Sequence, residues 1–595
     1  METVTLTIDG RSITVEKGTS LLKAAIEHGI HVPYYCYHPG LSVDGSCRVC
    51  IVKVEKMAKL QTACSTGCAE GMVVQTQAPD VVEARAGVFE FLLINHPLDC
   101  PVCDKGGECP LQDYSYTFGP QGSRMEFPRR VFDGEGARAD VDFGPTLMLN
   151  RNRCILCTRC VRFMRDVDGD AQIGIIDRGY GSEIATFQEE GVHSLLSGNL
   201  MDVCPVGAIT TLDYRFKSRP WDNPTAVDTV CTQCSKGCST TVWLRGKQEW
   251  AKAPRIVRIT PRFSPQVNGY WMCDIGRFEH HWIESDDRLR RPMLRDASGT
   301  LQPVSWQDAI LAVARRLPGR GAAPSLGLLV SAHASLEELF LVRRIAEGLE
   351  AGSPGVTVSW RYREKPQPDH AGFLVPPVDA PNVTGARDLG LVAGDGLKPD
   401  LRPLRDAVEH GRVAALYVLD PGPDGSLGDV SWIAEARARG VLPLLVVQGV
   451  LGTGLVRAAD VVLPGASSVE KEASYTTDRG RVQGASKVLP PPGDAMEDWQ
   501  ILANLGVAAG LALSYRSAAE VRADLATTLK DRPAYAGLGS LTFAAPVGAG
   551  TWLQASNPSE RWKWDLMFQD LPPVKLAVEA AGEPGLDVIP LRKVD

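Results

Sequence analysis

Sixteen cysteines dominate the chemistry that this sequence could support, and every one lies at or before Cys273. Four thiolates gathered at one pocket bind an iron–sulfur cluster or zinc. The first group has the spacing C-x10-C-x2-C-x13-C and consists of Cys36, Cys47, Cys50 and Cys64. A predicted β-hairpin and helix precede it, as in a small β-grasp domain, and this context favours [2Fe–2S] over zinc. Cys68 falls outside the spacing, so we interpret it as an inert buried thiol.

The second group combines three cysteines with one histidine in the stretch NHPLDCPVCDKGGEC. Its members are His96, Cys100, Cys103 and Cys109. On residue types alone, the group fits zinc, a disulfide loop or an iron–sulfur cluster with one histidine ligand. A helix is predicted over residues 81–95, and Pro97 prevents it from continuing. His96 then lies at the end of this helix, close to the cysteines.

The third group begins with the C-x2-C-x2-C run that is typical of bacterial ferredoxins. A two-cluster ferredoxin needs further cysteines at positions where this chain has Met164, Ser194, Ser197 and Leu200. The surviving cysteines therefore predict one [4Fe–4S] cluster, closed by a remote Cys-Pro pair. Its ligands are predicted to be Cys154, Cys157, Cys160 and Cys204.

The fourth group has the spacing C-x2-C-x3-C-x34-C. It consists of Cys231, Cys234, Cys238 and Cys273. This spacing fits a [4Fe–4S] cluster, and a four-cysteine zinc ribbon is the alternative because C-x2-C pairs are its hallmark.

The rest of the sequence limits the classes of function. A net charge of −8 over 595 residues leaves no basic surface of the kind that binds nucleic acid. The start METVTLTIDG indicates a strand rather than a signal peptide. The longest apolar run, residues 440–456, contains proline and glycine, so we interpret it as a buried strand and turn rather than a membrane span. No Walker A loop or strand–G-x-G-x-x-G–helix unit is found, so nucleotide and flavin are expected on other chains.

The four groups, in this order over residues 36–273, resemble the family of the G subunit of bacterial NADH-quinone oxidoreductase, the large iron–sulfur subunit of respiratory complex I. From about residue 290, apolar strands alternate with helical segments, which predicts an α/β fold with a largely parallel sheet. Here the stretches AADVVLPGASSVEKEASYTTDRGRVQ and PPGDAMEDWQ resemble the molybdopterin-oxidoreductase portion of the same family. This region has no cysteine to bind a metal, so the resemblance implies a retained scaffold without molybdenum.

The expected fold class is therefore α/β multidomain. The predicted boundaries give a β-grasp [2Fe–2S] domain (1–80), a [4Fe–4S] module with one histidine ligand (81–120), a ferredoxin-like [4Fe–4S] domain (121–218), a further [4Fe–4S] module (219–285) and a molybdopterin-oxidoreductase-like α/β domain (286–595). We interpret Arg479, Arg481 and Gln483 in the last of these as a solvated structural turn.

The resemblance also implies a function. The chain would hold one [2Fe–2S] and three [4Fe–4S] clusters, with His96 as a ligand, and no FMN, NAD or molybdenum. Electrons would pass from NADH through the flavin of the F subunit, which binds with the E subunit, to the first three groups. They would leave towards the ferredoxin-like I subunit, the C and D subunits, and quinone, while the fourth cluster lies off the path. The chain would sit in the peripheral arm on the cytoplasmic side of the membrane, in a complex that translocates protons.

Three other functions are alternatives to this one. The electron-relay chain of an NAD-reducing hydrogenase is much shorter than this chain. The catalytic chain of an NAD-dependent formate dehydrogenase needs a complete molybdopterin domain. A zinc-binding structural scaffold does not explain the ferredoxin run.

The substitution His96→Cys tests the histidine assignment. Thiolate is the usual ligand of iron–sulfur clusters, so we expect a cluster to assemble in the variant. The thiolate replaces a neutral imidazole and adds negative charge, so the reduction potential of this centre should fall. Reductive titration followed by electron paramagnetic resonance measures the potential, and an unchanged potential would contradict the assignment.

Overall fold

The computed structural model describes residues 2–131, 136–223, 225–246, 254–353 and 355–543. Four small sheet-and-loop regions carry the cysteines, and a larger α/β region follows them. The end of the last predicted domain, residues 544–595, lies outside the described residues. None of the helices within the described ranges is long and apolar enough to cross a membrane.

The first region is a five-stranded mixed sheet with one helix. Its strand order is β2-β1-β5-β3-β4, and β1 and β2 form an antiparallel hairpin. Asp9 and Gly10 connect them with positive φ angles of 45° and 78°, as a two-residue hairpin turn requires, so the predicted hairpin is confirmed. Ser20 caps the helix by accepting a hydrogen bond from the backbone N–H of Lys23. The elements are β1 (Thr3–Ile8), β2 (Arg11–Glu16), α1 (Leu21–Glu27), β3 (Ile51–Val54), β4 (Gln61–Thr62) and β5 (Val73–Gln75).

Two helices flank the second cysteine group. Helix α2 (Pro79–Ile94) confirms the helix predicted over residues 81–95, with its start two residues earlier and its end one residue earlier, and α3 (Pro110–Phe118) begins directly after Cys109. The buried Arg85 of α2 donates hydrogen bonds to backbone carbonyls of the first sheet region, which fixes the helix against it.

Short elements surround the third and fourth cysteine groups. The third group lies among β6 (Val141–Asp142), β7 (Leu147–Leu149), α4 (Arg159–Phe163), β8 (Ile173–Ile176), β9 (Glu183–Thr186), α5 (Asn199–Val203) and β10 (Ile209–Thr211). The fourth lies at the end of an antiparallel sheet made of β11 (Thr225–Val230), β12 (Ser239–Leu244) and β13 (Ile256–Pro261), with α6 (Asp274–Phe278) directly after Cys273.

The large region is built on a seven-stranded sheet of order β15-β14-β22-β21-β20-β16-β17, in which the last five strands are mutually parallel. This confirms the predicted α/β class with a largely parallel sheet. The apolar run 440–456 forms the buried β21 and the turn after it, as predicted. The strands are β14 (Met293–Arg295), β15 (Leu301–Pro303), β16 (Ser325–Ser331), β17 (Val356–Ser359), β18 (Arg361–Tyr362), β19 (Val378–Asp379), β20 (Val413–Asp420), β21 (Leu444–Gly449), β22 (Val461–Pro464), β23 (Ala473–Thr476) and β24 (Val482–Ala485).

Eight helices within the described ranges accompany this sheet. They are α7 (Trp306–Arg316), α8 (Leu336–Gly348), α9 (Val383–Asp388), α10 (Arg402–Glu409), α11 (Ser431–Ala438), α12 (Gly454–Ala458), α13 (Asp498–Ala508) and α14 (Ala518–Thr528). Arg479 and Arg481 are exposed in the turn between β23 and β24, in agreement with the sequence interpretation. Gln483 is buried on β24, so the interpretation of this residue as solvated is wrong. It packs beside Gly237, which belongs to the loop of the fourth cysteine group.

One hydrophobic core runs through the regions of all four cysteine groups. It includes Cys36 from the first, Cys109 from the second, Cys204 from the third and Cys273 from the fourth. The core therefore crosses the predicted boundaries at residues 80, 120 and 218, and these boundaries stay predictions.

A buried charge cluster joins the helices of the large region to its sheet. The ammonium group of Lys471 lies 2.6 Å from Glu338 on α8 and 2.8 Å from Asp498 on α13, and all three side chains are at most 1% exposed. The second carboxylate oxygen of Asp498 accepts a hydrogen bond from Gln448 on β21. The cluster thus connects two helices and a central strand through one cation.

Replacing this cation tests how much the cluster matters. Lys471→Ala leaves two buried carboxylates without a counter-charge, and removing one partner of a buried pair costs about 3–5 kcal/mol. Hydrogen exchange of β21 and α13 peptides should show a loss of protection of that order. The control is Lys487→Ala, which breaks a half-exposed pair with Glu497 and should cost about 0–1 kcal/mol. Equal losses in the two variants would contradict a structural role for the cluster.

Candidate metal centres

The first group of cysteines converges on one pocket in the loop between α1 and β3 and at the end of β4. Cys36 lies within hydrogen-bond reach of the sulfurs of Cys47 and Cys64, and Cys64 also reaches Cys50. Hydrogen bonds from these thiols, and from backbone N–H groups including that of Gly45, lower the pKa of Cys36 well below its ordinary value. The structure thus brings all four sulfurs together with donors that stabilise a thiolate.

The second group lines a single cavity of about 380 Å³. His96, Cys100, Cys103 and Cys109 all border it. Burial lowers the pKa of His96 to about 4, and the nearby charge of Arg153 adds to this effect. The imidazole is therefore neutral at pH 7, which is the state that binds a metal.

Glycines keep this cavity free of side chains. A Cβ added at Gly207, three residues after Cys204, would overlap the sulfur of Cys103. A Cβ at Gly106 would lie 2.7 Å from the carbonyl oxygen of Cys100. A glycine of the third group's own Cys-Pro loop thus forms a wall of the second centre.

The third group also surrounds one small cavity, bordered by Cys154, Cys157, Cys160 and Cys204. Leu156 and Thr158 have positive φ angles of 52° and 61°, a backbone conformation that is rare for side chains of this kind. In this conformation the backbone N–H of Leu156 donates to the sulfur of Cys154 at 3.4 Å. The strain is thus located where the loop folds around its own sulfurs.

Three cysteines of the fourth group, Cys234, Cys238 and Cys273, are buried, and Cys231 is partly buried. Burial raises the pKa of Cys231 and Cys273, and the charges of neighbouring cysteines add to the effect. Burial raises the pKa of Cys238, and the charges of Cys234, Cys231 and Cys273 add to this effect, which places the four sulfurs in one cluster. A Cβ at Gly276 would lie 2.8 Å from the sulfur of Cys231, so here too a glycine leaves room beside a thiol.

Cys68 packs in the hydrophobic core of the first sheet region, where burial raises its pKa. Its backbone N–H donates to the carbonyl of Thr19 at 2.8 Å. This placement is that of a structural thiol.

Sequence analysis missed the arginines that connect these centres. Arg162 on α4 is buried and donates hydrogen bonds to the carbonyls of Cys157, at 3.2 Å, and of Cys36. Arg159, one turn earlier, donates to the carbonyls of Val203 and Tyr37. The only signal in the sequence was their position, with Arg159 inside the ferredoxin run and Arg162 two residues after it, and this did not reveal which distant loops they would contact.

Family models match four parts of the chain. They are described as "2Fe-2S iron-sulfur cluster binding domain" (residues 1–79), "NADH-ubiquinone oxidoreductase-G iron-sulfur binding region" (85–124), "NADH-quinone oxidoreductase subunit 3, ferredoxin-like domain" (144–210) and "Molybdopterin oxidoreductase" (383–508). Their order along the chain is the order of the predicted regions.

Several curated proteins are similar in sequence to this chain. The NADH-quinone oxidoreductase G subunit of Streptomyces coelicolor is 42% identical over 347 residues, which is 58% of this chain and 39% of that protein. The match to the second G subunit of Rhizobium meliloti, at 40% identity, covers 38% of that protein, so the chain spans about two fifths of the length of these bacterial relatives. The mitochondrial NADH dehydrogenase [ubiquinone] iron-sulfur protein 1 of Solanum tuberosum is 30% identical over 87% of this chain and 82% of its own length.

Among solved structures, an NAD+-reducing [NiFe]-hydrogenase in the H2-reduced state is similar to 36% of this chain. The match covers 90% of that structure's chain at 29% identity, with a TM-score of 0.32.

Gly207→Ala tests whether the third region shapes the second centre. The added methyl group overlaps the sulfur of Cys103, so the second centre should lose its metal, about four irons per chain, while the other centres keep theirs. Iron analysis and electron paramagnetic resonance measure this loss. The control is Gly122→Ala, because a Cβ at that glycine meets no atom within 4 Å. Full metal content in Gly207→Ala would contradict the proposed shape of the site.

Proposed function

Because this chain belongs to the family of the G subunit, the large iron–sulfur subunit of NADH-quinone oxidoreductase, we propose that it is the electron-relay subunit of such a complex. In this proposal it receives electrons from the NADH-oxidising, flavin-bearing F subunit, which binds with the E subunit. It passes them towards the ferredoxin-like I subunit, the C and D subunits, and quinone. The chain lies in the peripheral arm on the cytoplasmic side of the membrane.

The observation that carries the proposal is the close packing of the second and third cysteine groups. His96 and Cys154 line a common cavity of about 190 Å³, and Gly207 presses against Cys103. Two separate sets of candidate metal ligands therefore lie side by side in one core. A storage or purely structural metal site has no need of this adjacency, whereas electron transfer depends on short distances between centres.

The residues fit the proposed cofactors, one [2Fe–2S] and three [4Fe–4S] clusters. Fifteen cysteines and one histidine form four sets of four donors, and glycines leave room beside Cys103 and Cys231. Bound iron–sulfur clusters supply reversible one-electron oxidation and reduction.

The protein's own part is to bind, orient and shield. The thiolates and the imidazole of His96 are the ligands, and backbone N–H groups such as that of Leu156 donate to the sulfurs. Such hydrogen bonds stabilise negative charge at a cluster and so tune its potential. Most thiols of the third and fourth groups are buried, which keeps water away from them and strengthens these interactions. The buried ones are Cys157, Cys160, Cys204, Cys234, Cys238 and Cys273.

The test is the anaerobic purification of the complex through a tag on this chain. We expect a brown preparation with about 14 irons on this chain, bleached by NADH, with the F and I subunits bound. Cys64→Ser should remove about two irons and its [2Fe–2S] signal, whereas Cys68→Ser, the control, should keep both.

Other outcomes would overturn the proposal. Stoichiometric zinc with no visible absorbance would indicate the structural scaffold instead. Stoichiometric molybdenum would indicate a formate dehydrogenase chain. Irons that dithionite reduces but NADH does not, in a complex that contains the F subunit, would exclude the relay role.

A further inference from the structure

Three side chains outside the cysteine groups converge near the surface between the third and fourth regions. Asp213 follows β10, and His280 and His281 follow α6. One ring nitrogen of each histidine and a carboxylate oxygen of Asp213 all lie within 4.8 Å of one another, the only such group of three His, Cys, Asp or Glu ligands among the described residues. The two contributing segments are 67 residues apart in sequence.

His280 is held in the state that a metal ligand needs. Its side chain is buried, with 3% exposure, and its Nδ1 lies 3.0 Å from the carbonyl oxygen of Arg277. A carbonyl only accepts hydrogen bonds, so Nδ1 carries the proton and Nε2 carries the lone pair. In a metal-bound histidine, the ring nitrogen that does not bind the metal usually donates a hydrogen bond in this way.

Nε2 of His280 has no hydrogen-bond partner among the residues that the structure describes. A buried acceptor without a partner costs about 1–3 kcal/mol, so a folded protein rarely keeps one without a reason. The ion pair of the other two side chains does not remove this cost, because it leaves Nε2 unsatisfied.

The other two side chains form the more accessible part of the cluster. Nε2 of His281 lies 3.0 Å from Oδ1 of Asp213, and the His281 side chain is 53% exposed. The ammonium group of Lys217 lies 3.3 Å from the same oxygen, on a side chain that is 59% exposed and free to swing into water. A cation can therefore enter from the solvent side and displace Lys217.

We propose that Asp213, His280 and His281 form a binding site for a divalent transition metal, with Zn²⁺ as its best-fitting ion. Two imidazoles and one carboxylate are a common zinc ligand set, with water in the fourth position. Calcium and magnesium prefer oxygen ligands alone, and the absence of a thiol from the set distinguishes it from the four cysteine groups. The bound ion connects the end of β10 to the segment after Cys273. It thus joins two iron–sulfur regions through metal–ligand bonds that do not involve their clusters.

The test uses the assembled complex with its iron–sulfur clusters in place, treated with a chelator and then titrated with Zn²⁺. We expect one additional zinc per chain. X-ray absorption at the zinc edge should show nitrogen and oxygen ligands at about 2.0–2.1 Å and an imidazole signature. Sulfur ligands at about 2.3 Å, or no additional zinc, would overturn the proposal.

Three variants locate the site. His280→Ala, Asp213→Asn and His281→Gln should each weaken zinc binding by more than about tenfold. Loss of a residue that only hydrogen-bonds to a metal ligand already lowers metal affinity by about 10–100-fold. The last two substitutions lie at side chains that are 20% (Asp213) and 53% (His281) exposed and change little volume, so they report on binding even where His280→Ala disturbs folding. The matched control is His410→Ala, which removes a histidine that also lies 3.0 Å from an aspartate, Asp406, but has no third ligand among the described residues. Zinc affinity that is the same in all four variants would overturn the proposal.

Discussion

The arrangement of the centres depends on the hydrogen bonds that arginine side chains donate to backbone carbonyls. A loop that turns its N–H groups towards sulfur leaves carbonyl oxygens without the partners that a helix or sheet would supply. Arg162 and Arg159 satisfy such carbonyls in the first and third groups, and the partly buried Arg219 does so for Pro101 and Cys103 in the second. A guanidinium group suits this task because it carries five donors and stays charged when buried. Each arginine therefore completes one loop and attaches it to another.

The glycines complement these arginines. Side chains of any size at Gly207 or Gly276 would occupy space beside a thiol, so the backbone itself forms the wall of the centre. Because Gly207 belongs to the third group and Cys103 to the second, the pocket of the second centre is complete only when the third region packs against it. The continuous hydrophobic core through all four regions reflects the same close packing, and it crosses the predicted domain boundaries.

The large α/β region uses buried charge for a different purpose. Lys471, Glu338 and Asp498 lie where α8, α13 and the sheet meet, and Arg288 pairs with Glu470 through two hydrogen bonds in an equally buried position. Buried ion pairs gain little net stability over well-packed apolar residues, but they penalise any packing that separates the partners. They therefore specify how the helices dock on the sheet more than they strengthen the fold.

The sequence alone determined those features that depend on local spacing. The four candidate ligand sets followed from the spacing of the cysteines and His96, and the largely parallel sheet followed from apolar strands that alternate with helical segments. Only the tertiary structure decided which distant groups meet: Gly207 with Cys103, Arg162 with the loop of Cys36, Gln483 with the loop of the fourth group, and Asp213 with His280. These contacts span tens to hundreds of residues, and no local periodicity encodes them, because they arise only when separate elements pack around a shared core.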